Sequence, residues 1–370
     1  MNTELQDPSQ STVTEPKALI KGRALDDDGE PVQSKYVTNT KAPPITSVEG
    51  AFDVFSRMRA RLRSAVKGRD DVIDLVLVAV LADGHVLLED FPGSGKTTLA
   101  KALGDCIIDD EPEDNIVTTR RIQFTPDLLP SDVTGTTVFD PNTNRFFFRS
   151  GPIFAHIVLA DEINRTSPKV QSALLEAMAE KQVTVDNRTR KLDELFLVIA
   201  TQNPLDVAGT FPLPNAQLDR FLFKIRMTHI ESKYELELLR DFRKLKANAD
   251  PADLPRVTRT EILDARKVIA ETIFVAEKVH HALVGIAART RSDERILQGA
   301  STRSLVLALP ALQARAMMEQ RKFVTADDLA ALAGRIFTHR LEFAPGVDSP
   351  EEVVREICRQ ELENLARGSV

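Results

Sequence analysis

The stretch LEDFPGSGKTT, residues 88–98, decides how the rest of the chain is read. It follows the phosphate-binding pattern G-x-x-x-x-G-K-[ST] except at the first position, where Asp90 replaces glycine. Gly95, Lys96 and Thr97 stand where the cradling glycine, the lysine for the β/γ-phosphates and the Mg²⁺-binding hydroxyl belong. The preceding run His85-Val86-Leu87-Leu88 reads as a short buried parallel strand. The following segment, Thr98 to Leu103, combines good helix formers with apolar residues three and four apart. Strand, glycine-rich turn and helix N-terminus together aim backbone N–H groups and a helix dipole at an anion. Those amides belong mainly to Gly93, Ser94, Gly95, Lys96 and Thr97, with Thr98 just inside the helix. Position 90 lies at the strand exit, where a side chain can point away. The sequence therefore predicts a working nucleotide site, with the Asp90 carboxylate directed off the phosphates.

A chain of 370 residues is long enough for two domains, and its 42% apolar and 28% charged residues are ordinary for a globular protein. No window approaches the ~18 consecutive apolar residues of a membrane span. The acidic, apolar-poor N-terminus MNTELQDPSQSTVTEPK lacks the pattern of a secretory signal. Cys106 and Cys358 stand far apart in helical patterns without metal-ligand spacing, so they read as buried free thiols in a reducing, cytoplasmic setting. A formal net charge of −7 argues against bulk nonspecific nucleic-acid binding, which needs a basic face.

Residues 1–46, rich in Thr, Ser, Pro, Asp and Gly, read as a disordered tail. Residues 47–228 then carry an α/β core. Helices are expected over 51–66 and 70–81, and strands over 85–89, 120–124, 157–160, 196–201 and 222–227. Alternation of these strands with helical patterns predicts a parallel sheet covered on both faces. Beyond Glu231 strand signals give way to amphipathic helices, including 304–320 and a capped start at Thr325, so residues 229–370 read as an all-helical domain.

The other half of the chemistry is Ile157-Val-Leu-Ala-Asp161-Glu162. Asp161 is suited to hold Mg²⁺ and Glu162 to polarise an attacking water. An isolated Asp-Glu pair would equally cap the next helix; one that follows a phosphate loop in the same chain favours the catalytic reading. In Phe196-Leu-Val-Ile-Ala-Thr201-Gln202-Asn203-Pro204, Asn203 either bonds the γ-phosphate or its water, or simply ends the strand in an Asn-Pro turn.

Three blocks, PSDVTGT (130–136), GPIFAHIVLADEINRTSPKVQSALLEAMAEKQVTVD (151–186) and FLVIATQNPLDVAGTFPLPNAQLDRF (196–221), together resemble the MoxR family of AAA+ ATPases. The resemblance spans roughly residues 48 to 345 and is very specific over 151–221. It implies a P-loop core with a parallel five-stranded sheet, a β-hairpin inserted in helix 2, a C-terminal helical lid, ATP and Mg²⁺ as ligands, and a homo-oligomeric, usually hexameric, ring. The inserted hairpin would be 136–149, turning at 140–144, and a second would span 183–192, turning at Asp186-Asn-Arg. The family pattern further implies sensor 1 at Asn203, an arginine finger at Arg220 in Leu218-Asp-Arg-Phe, sensor 2 at Arg303, and an adenine-side turn at Val66 and Gly68. Arg69 departs from the Gln that often follows that glycine, and Thr166-Ser-Pro168 departs mildly from the family after DEINR.

Alternatives accompany several of these residues. Arg165, Arg220 and Arg303 could each be surface salt-bridge partners. Phe146, Phe147 and Phe148 read either as core packing, the commoner role for aromatics in a strand, or as a gripping tip. Arg145, Arg149, Arg188, Arg190 and Lys191 are either a solvated face or a contact for an acidic partner. For the whole chain, the leading reading is a motor or chaperone that remodels protein complexes or assists metal-centre maturation, with a von Willebrand A-type partner and a protein client. A magnesium-chelatase-like motor subunit uses the same machinery. So does a nucleic-acid translocase, which the acidic balance and the lack of a DNA-binding module disfavour.

Overall fold

The computed structural model describes residues 36–38, 40–89, 94–113, 115–204, 209–246 and 254–367. Residues 1–35 of the expected tail, Asp90 and Gly93 lie outside the described residues. Two residues of the described remainder, Tyr36 and Ile45, contact the C-terminal half. Tyr36 lies under the Arg256 guanidinium, 3.5 Å from the ring centroid, and its carbonyl accepts the Asp109 N–H. The Ile45 N–H donates to Asp264. Both residues are partly buried, whereas most of their described neighbours before α1 are exposed.

Helices α1 (Val48–Ala65) and α2 (Asp70–Leu81) open the ordered chain. Ser47 caps α1 through its hydroxyl, as expected of an N-cap serine. Then follow β1 (Val86–Glu89), α3 (Lys96–Asp105), β2 (Ile107–Ile108) and β3 (Val117–Gln123). After α4 (Pro130–Thr134) come β4 (Gly135–Asp140), β5 (Arg145–Ser150), β6 (Ala155–Asp161) and α5 (Pro168–Glu180). β7 (Gln182–Val185), β8 (Arg188–Lys191), β9 (Leu197–Gln202), α6 (Asn215–Leu218) and β10 (Phe223–Arg226) complete the α/β half.

Five of these strands form one parallel sheet in the order β10-β1-β9-β6-β3. Side chains alternate across a strand, so each must satisfy two apolar faces at once. Val86 and Leu88 face one buried cluster and Leu87 the other; Ile157 and Leu159 likewise oppose Val158 and Ala160. That is why these segments read as continuous apolar runs.

The two hairpins form where turn chemistry put them. In the first, the Asp140 carboxylate accepts from the Asn142 N–H and the Thr143 hydroxyl, and Asn144 adopts φ +52°. In the second, Asp186 and Asn187 both take positive φ, the geometry of a two-residue hairpin turn. The phenylalanines divide. Phe148 packs edge-on to Phe154 beneath Arg190, whereas Phe146 is 72% exposed and stacks on Phe139.

The C-terminal half contains α7 (Ser232–Lys246), β11 (Val257–Thr258), α8 (Arg259–Thr272), α9 (Glu277–Ser292), β12 (Ile296–Gln298), α10 (Thr302–Met318), α11 (Ala326–Phe337), β13 (Glu342–Phe343) and α12 (Pro350–Arg367). It is helical but for those three short strands, a departure from the all-helical expectation. Capping boxes start α8 (Thr258 with Glu261) and α11 (Thr325 with Asp328). One hydrophobic cluster runs from α1 and α2 through a face of the sheet into α8, α10 and α11, without a break near residue 229. Cys106 and Cys358 are both buried and free. Among the described residues no helix is long and apolar enough to cross a membrane.

Two buried histidines sit at the N-terminal ends of the strands. His85 accepts the Val198 N–H at Nδ1 and donates from Nε2 to the Met178 carbonyl, and burial lowers its pKa from 6.5 to about 4. His156 faces Asp193 at 3.1 Å and Asp109 at 3.5 Å. Burial alone would lower its pKa, but the two carboxylates outweigh this and raise it to about 9. Arg259 at the start of α8 also pairs with Asp193, tying the sheet to the C-terminal helices. A raised histidine stabilises fully below pH 6.5 and loses that contribution as pH climbs to about 9. A lowered one stabilises fully above pH 6.5 and loses it as pH falls to about 4. Each shift corresponds to stabilisation on the order of 3 kcal/mol. The melting temperature should therefore peak near neutrality and fall on both sides. His156→Gln should flatten the alkaline limb, and an unchanged alkaline limb in that variant would disprove the assignment.

Candidate active site

The phosphate end is built by a turn that only glycine accepts easily. Gly95 has φ +94° and is the residue before α3; a Cβ there would meet no neighbour, so its requirement is conformational rather than spatial. Helix α3 has no side-chain cap and no acidic residue in its first turn. Its first N–H groups are thus left for an anion, and no carboxylate in that turn competes with one. Lys96 is the first residue of the helix, with Thr97 and Thr98 following. The β1 end is fixed by Glu89, whose Oε1 accepts from Gln202 at 2.8 Å and lies 2.9 Å from the Lys224 ammonium.

The acidic end lies where β6 stops. Thr201 at the end of β9 donates its hydroxyl to Asp161 Oδ1 at 2.6 Å and accepts the Glu162 N–H at 2.9 Å. Asp161 Oδ2 accepts from Arg121 at 2.6 Å, and Arg121 also donates to Gln123. Gln123 in turn donates to Glu162 Oε2 at 2.9 Å, with Arg165 Nε 3.2 Å from the same oxygen. The Glu162 backbone is left-handed, φ +57° and ψ +49°, as it enters the 3₁₀ turn Ile163–Arg165. For a residue with a Cβ that conformation costs on the order of 1 kcal/mol, and it persists because Thr201 pins the amide. The strain turns the Glu162 side chain toward the space above α3.

Ser94, Gly95, Lys96, Thr97, Thr98, Asp161, Glu162 and Asn203 together line one cavity of about 350 Å³. The structure thus unites the predicted phosphate, metal and water positions from three separate segments. Val66, Gly68, Arg220 and Arg303 are not among the residues lining it. Val66 ends α1, and Gly68 has φ +68° with a Cβ position 2.5 Å from the Tyr234 ring, so α7 sits directly against this turn. Arg69 is buried and donates to the Thr228 carbonyl past β10, a structural use for the residue that departs from the family pattern. Arg220 is half-buried and Arg303 exposed. Arg121, Gln123 and Thr201 were not foreseen as parts of the site. Thr201 carried a sequence signal, a hydroxyl near the end of an apolar strand, whereas Arg121 and Gln123 lie in the polar strand β3 and carried none.

The donor set suits Mg²⁺, a hard cation that takes a hydroxyl, a carboxylate, waters and phosphate oxygens. Among the described residues no group of three or more His, Cys, Asp or Glu could hold a metal. A cation beside Thr97 and Asp161 would complete its shell with waters and phosphate oxygens.

Comparison with known proteins agrees with this geometry. The family model described as "ATPase family associated with various cellular activities (AAA)" matches residues 85–223, and the AAA lid domain model matches residues 288–357. The chain is 43% identical to the uncharacterised protein YeaC of Bacillus subtilis, over 82% of this chain and 92% of that protein. It is 35% identical to chaperone MoxR1 of Mycobacterium tuberculosis, over 86% of this chain and 85% of that one. Protein MoxR of Methylorubrum extorquens is 28% identical over 88% and 99%. A crystal structure of a Cytophaga hutchinsonii protein assigned as an ATPase superposes with a TM-score of 0.71 at 32% identity, covering 86% of this chain and 96% of that one.

Proposed function

Because this chain belongs to the MoxR family of AAA+ ATPases, we propose that it hydrolyses ATP as a ring-forming motor or chaperone that remodels or matures protein complexes. The observation that carries the reading is the single cavity shared by Lys96, Thr97, Asp161, Glu162 and Asn203. Lys96 and the uncapped amides of α3 bind the β- and γ-phosphates. Thr97 and Asp161 would hold Mg²⁺, which would supply charge neutralisation at the phosphate oxygens. Glu162 takes the proton of the attacking water, and Asn203 orients that water against the γ-phosphate. Arg220 reaches a neighbouring subunit's nucleotide and neutralises charge in the transition state, and Arg303 senses the nucleotide of its own subunit. Val66 and Gly68 form the adenine side.

The partners of this reading are further copies of the chain in a hexameric ring, a von Willebrand A-type protein, and a cytoplasmic protein client whose maturation includes metal-cofactor insertion. A relative named as a chaperone supports the protein-directed class. Sedimentation and client retention test it together. ATP-loaded Glu162→Gln protein should sediment as a ring and retain client protein, whereas Lys96→Ala protein, unable to bind nucleotide, should retain none. Absence of any ATP-dependent difference in both readouts would overturn the motor reading.

A further inference from the structure

Arg220 and Arg303 do not line the cavity, and neither guanidinium has a hydrogen-bond or ion-pair partner among the described residues. Asp219, the residue before Arg220, is bonded to two serines close to Arg303 in the chain. Its Oδ2 accepts from the Ser301 hydroxyl at 3.0 Å and its Oδ1 from the Ser304 hydroxyl at 3.1 Å. Arg340 Nε lies 3.0 Å from the same Oδ1. Ser301 is the N-cap of α10 and Ser304 its third residue, so the two serines flank Arg303. The grip continues past Arg220: Arg340 donates to the carbonyls of Phe221 and Leu222, and His339 donates to the Phe221 carbonyl. Arg340 is 3% exposed and Ser304 fully buried, so their contacts are shielded from water, whereas the Ser301 contact to Asp219 is exposed.

The backbone on either side of Arg220 is thus clamped to α10 and to the 3₁₀ turn Thr338–Arg340, while the Arg220 side chain is left free. We propose that Asp219 is a positioning residue that locks the Arg220 segment to the Arg303-bearing end of α10, so that the arginine offered to a neighbour moves with the arginine that attends the subunit's own nucleotide. This rests on the reading of Arg220 as a residue acting across the subunit interface. Asp219 itself touches no reacting atom; it fixes where Arg220 points.

Two variants test the clamp. Asp219→Asn keeps the side-chain shape and removes the charge. Because it leaves the buried Arg340 without its counter-ion, a second variant cuts only the α10 link: Ser301→Gly with Ser304→Ala, in which glycine remains an acceptable N-cap. A displacement of about 1 Å in a catalytic group can cost ~10²-fold in rate. Both variants should lose kcat by roughly ten- to a hundredfold, with KM for ATP within about threefold of wild type and an unchanged melting temperature for the serine pair. Mixed with Lys96→Ala subunits, which carry an intact Arg220 segment, they should regain turnover. Wild-type kcat in the folded serine-pair variant would overturn the clamp. So would a loss of kcat that mixing fails to restore under conditions where Arg220→Ala is restored, since the defect would then lie within the subunit and the reading of Arg220 would stand. Normal hydrolysis by Arg220→Ala alone would instead remove that reading and the clamp with it.

Discussion

Glu162→Gln protein should bind ATP as tightly as wild type and hydrolyse it at least ~10²-fold more slowly. The substitution keeps the size and the left-handed backbone of residue 162, and the Thr201 contact to its amide is a backbone contact that survives. What disappears is a carboxylate able to accept a proton. Lys96→Ala should fail earlier, at binding, because the lysine at the head of α3 is the cationic side chain at the phosphate end of the cavity. Nucleotide titration and phosphate release on the same samples separate the two defects. Normal turnover by Glu162→Gln would remove Glu162 from the reaction.

Two inactive proteins should make an active one. Arg220→Ala subunits retain Lys96, Glu162 and Asn203, and so should bind nucleotide normally yet not hydrolyse it. Lys96→Ala subunits cannot use their own site but still present Arg220. A mixed ring places that arginine beside an intact cavity, and an arginine supplied in this way is worth ~10³-fold or more in kcat. The lack of any partner for the Arg220 side chain among the described residues speaks against the salt-bridge alternative within one chain. If sedimentation shows mixed rings and phosphate release stays at background, Arg220 does not act across the interface.

The sheet was legible because a strand buried on both faces cannot hide: every residue from Val86 to Leu88 must be apolar, and so must Ile157 to Ala160. The hairpin turns were legible because Asp140 and Asn187 are residues whose side chains or backbone suit those turns. Arg121 and Gln123 were not, because their meaning depends on β3 lying beside β6, an adjacency set by topology and absent from local spacing. Asp219 was hidden in the same way, since its partners Ser301, Ser304 and Arg340 lie far along the chain. The contacts of Tyr36 and Ile45 were hidden for a related reason: their partners, Arg256 and Asp264, lie about 220 residues further along the chain.

The packing of α1 against α8 sets a constraint on the order of synthesis. A ribosome delivers α1 early, with Val48, Ala51, Phe55, Met58 and Leu62 ready for burial. The residues that help cover them, among them Ile262, Ala265 and Ile269, emerge only after the whole sheet and both hairpins have been made. The cover of the first helix, begun by α2 and α3, is therefore completed only late in translation. Contacts that close so large a loop form slowly and expose sticky surface meanwhile.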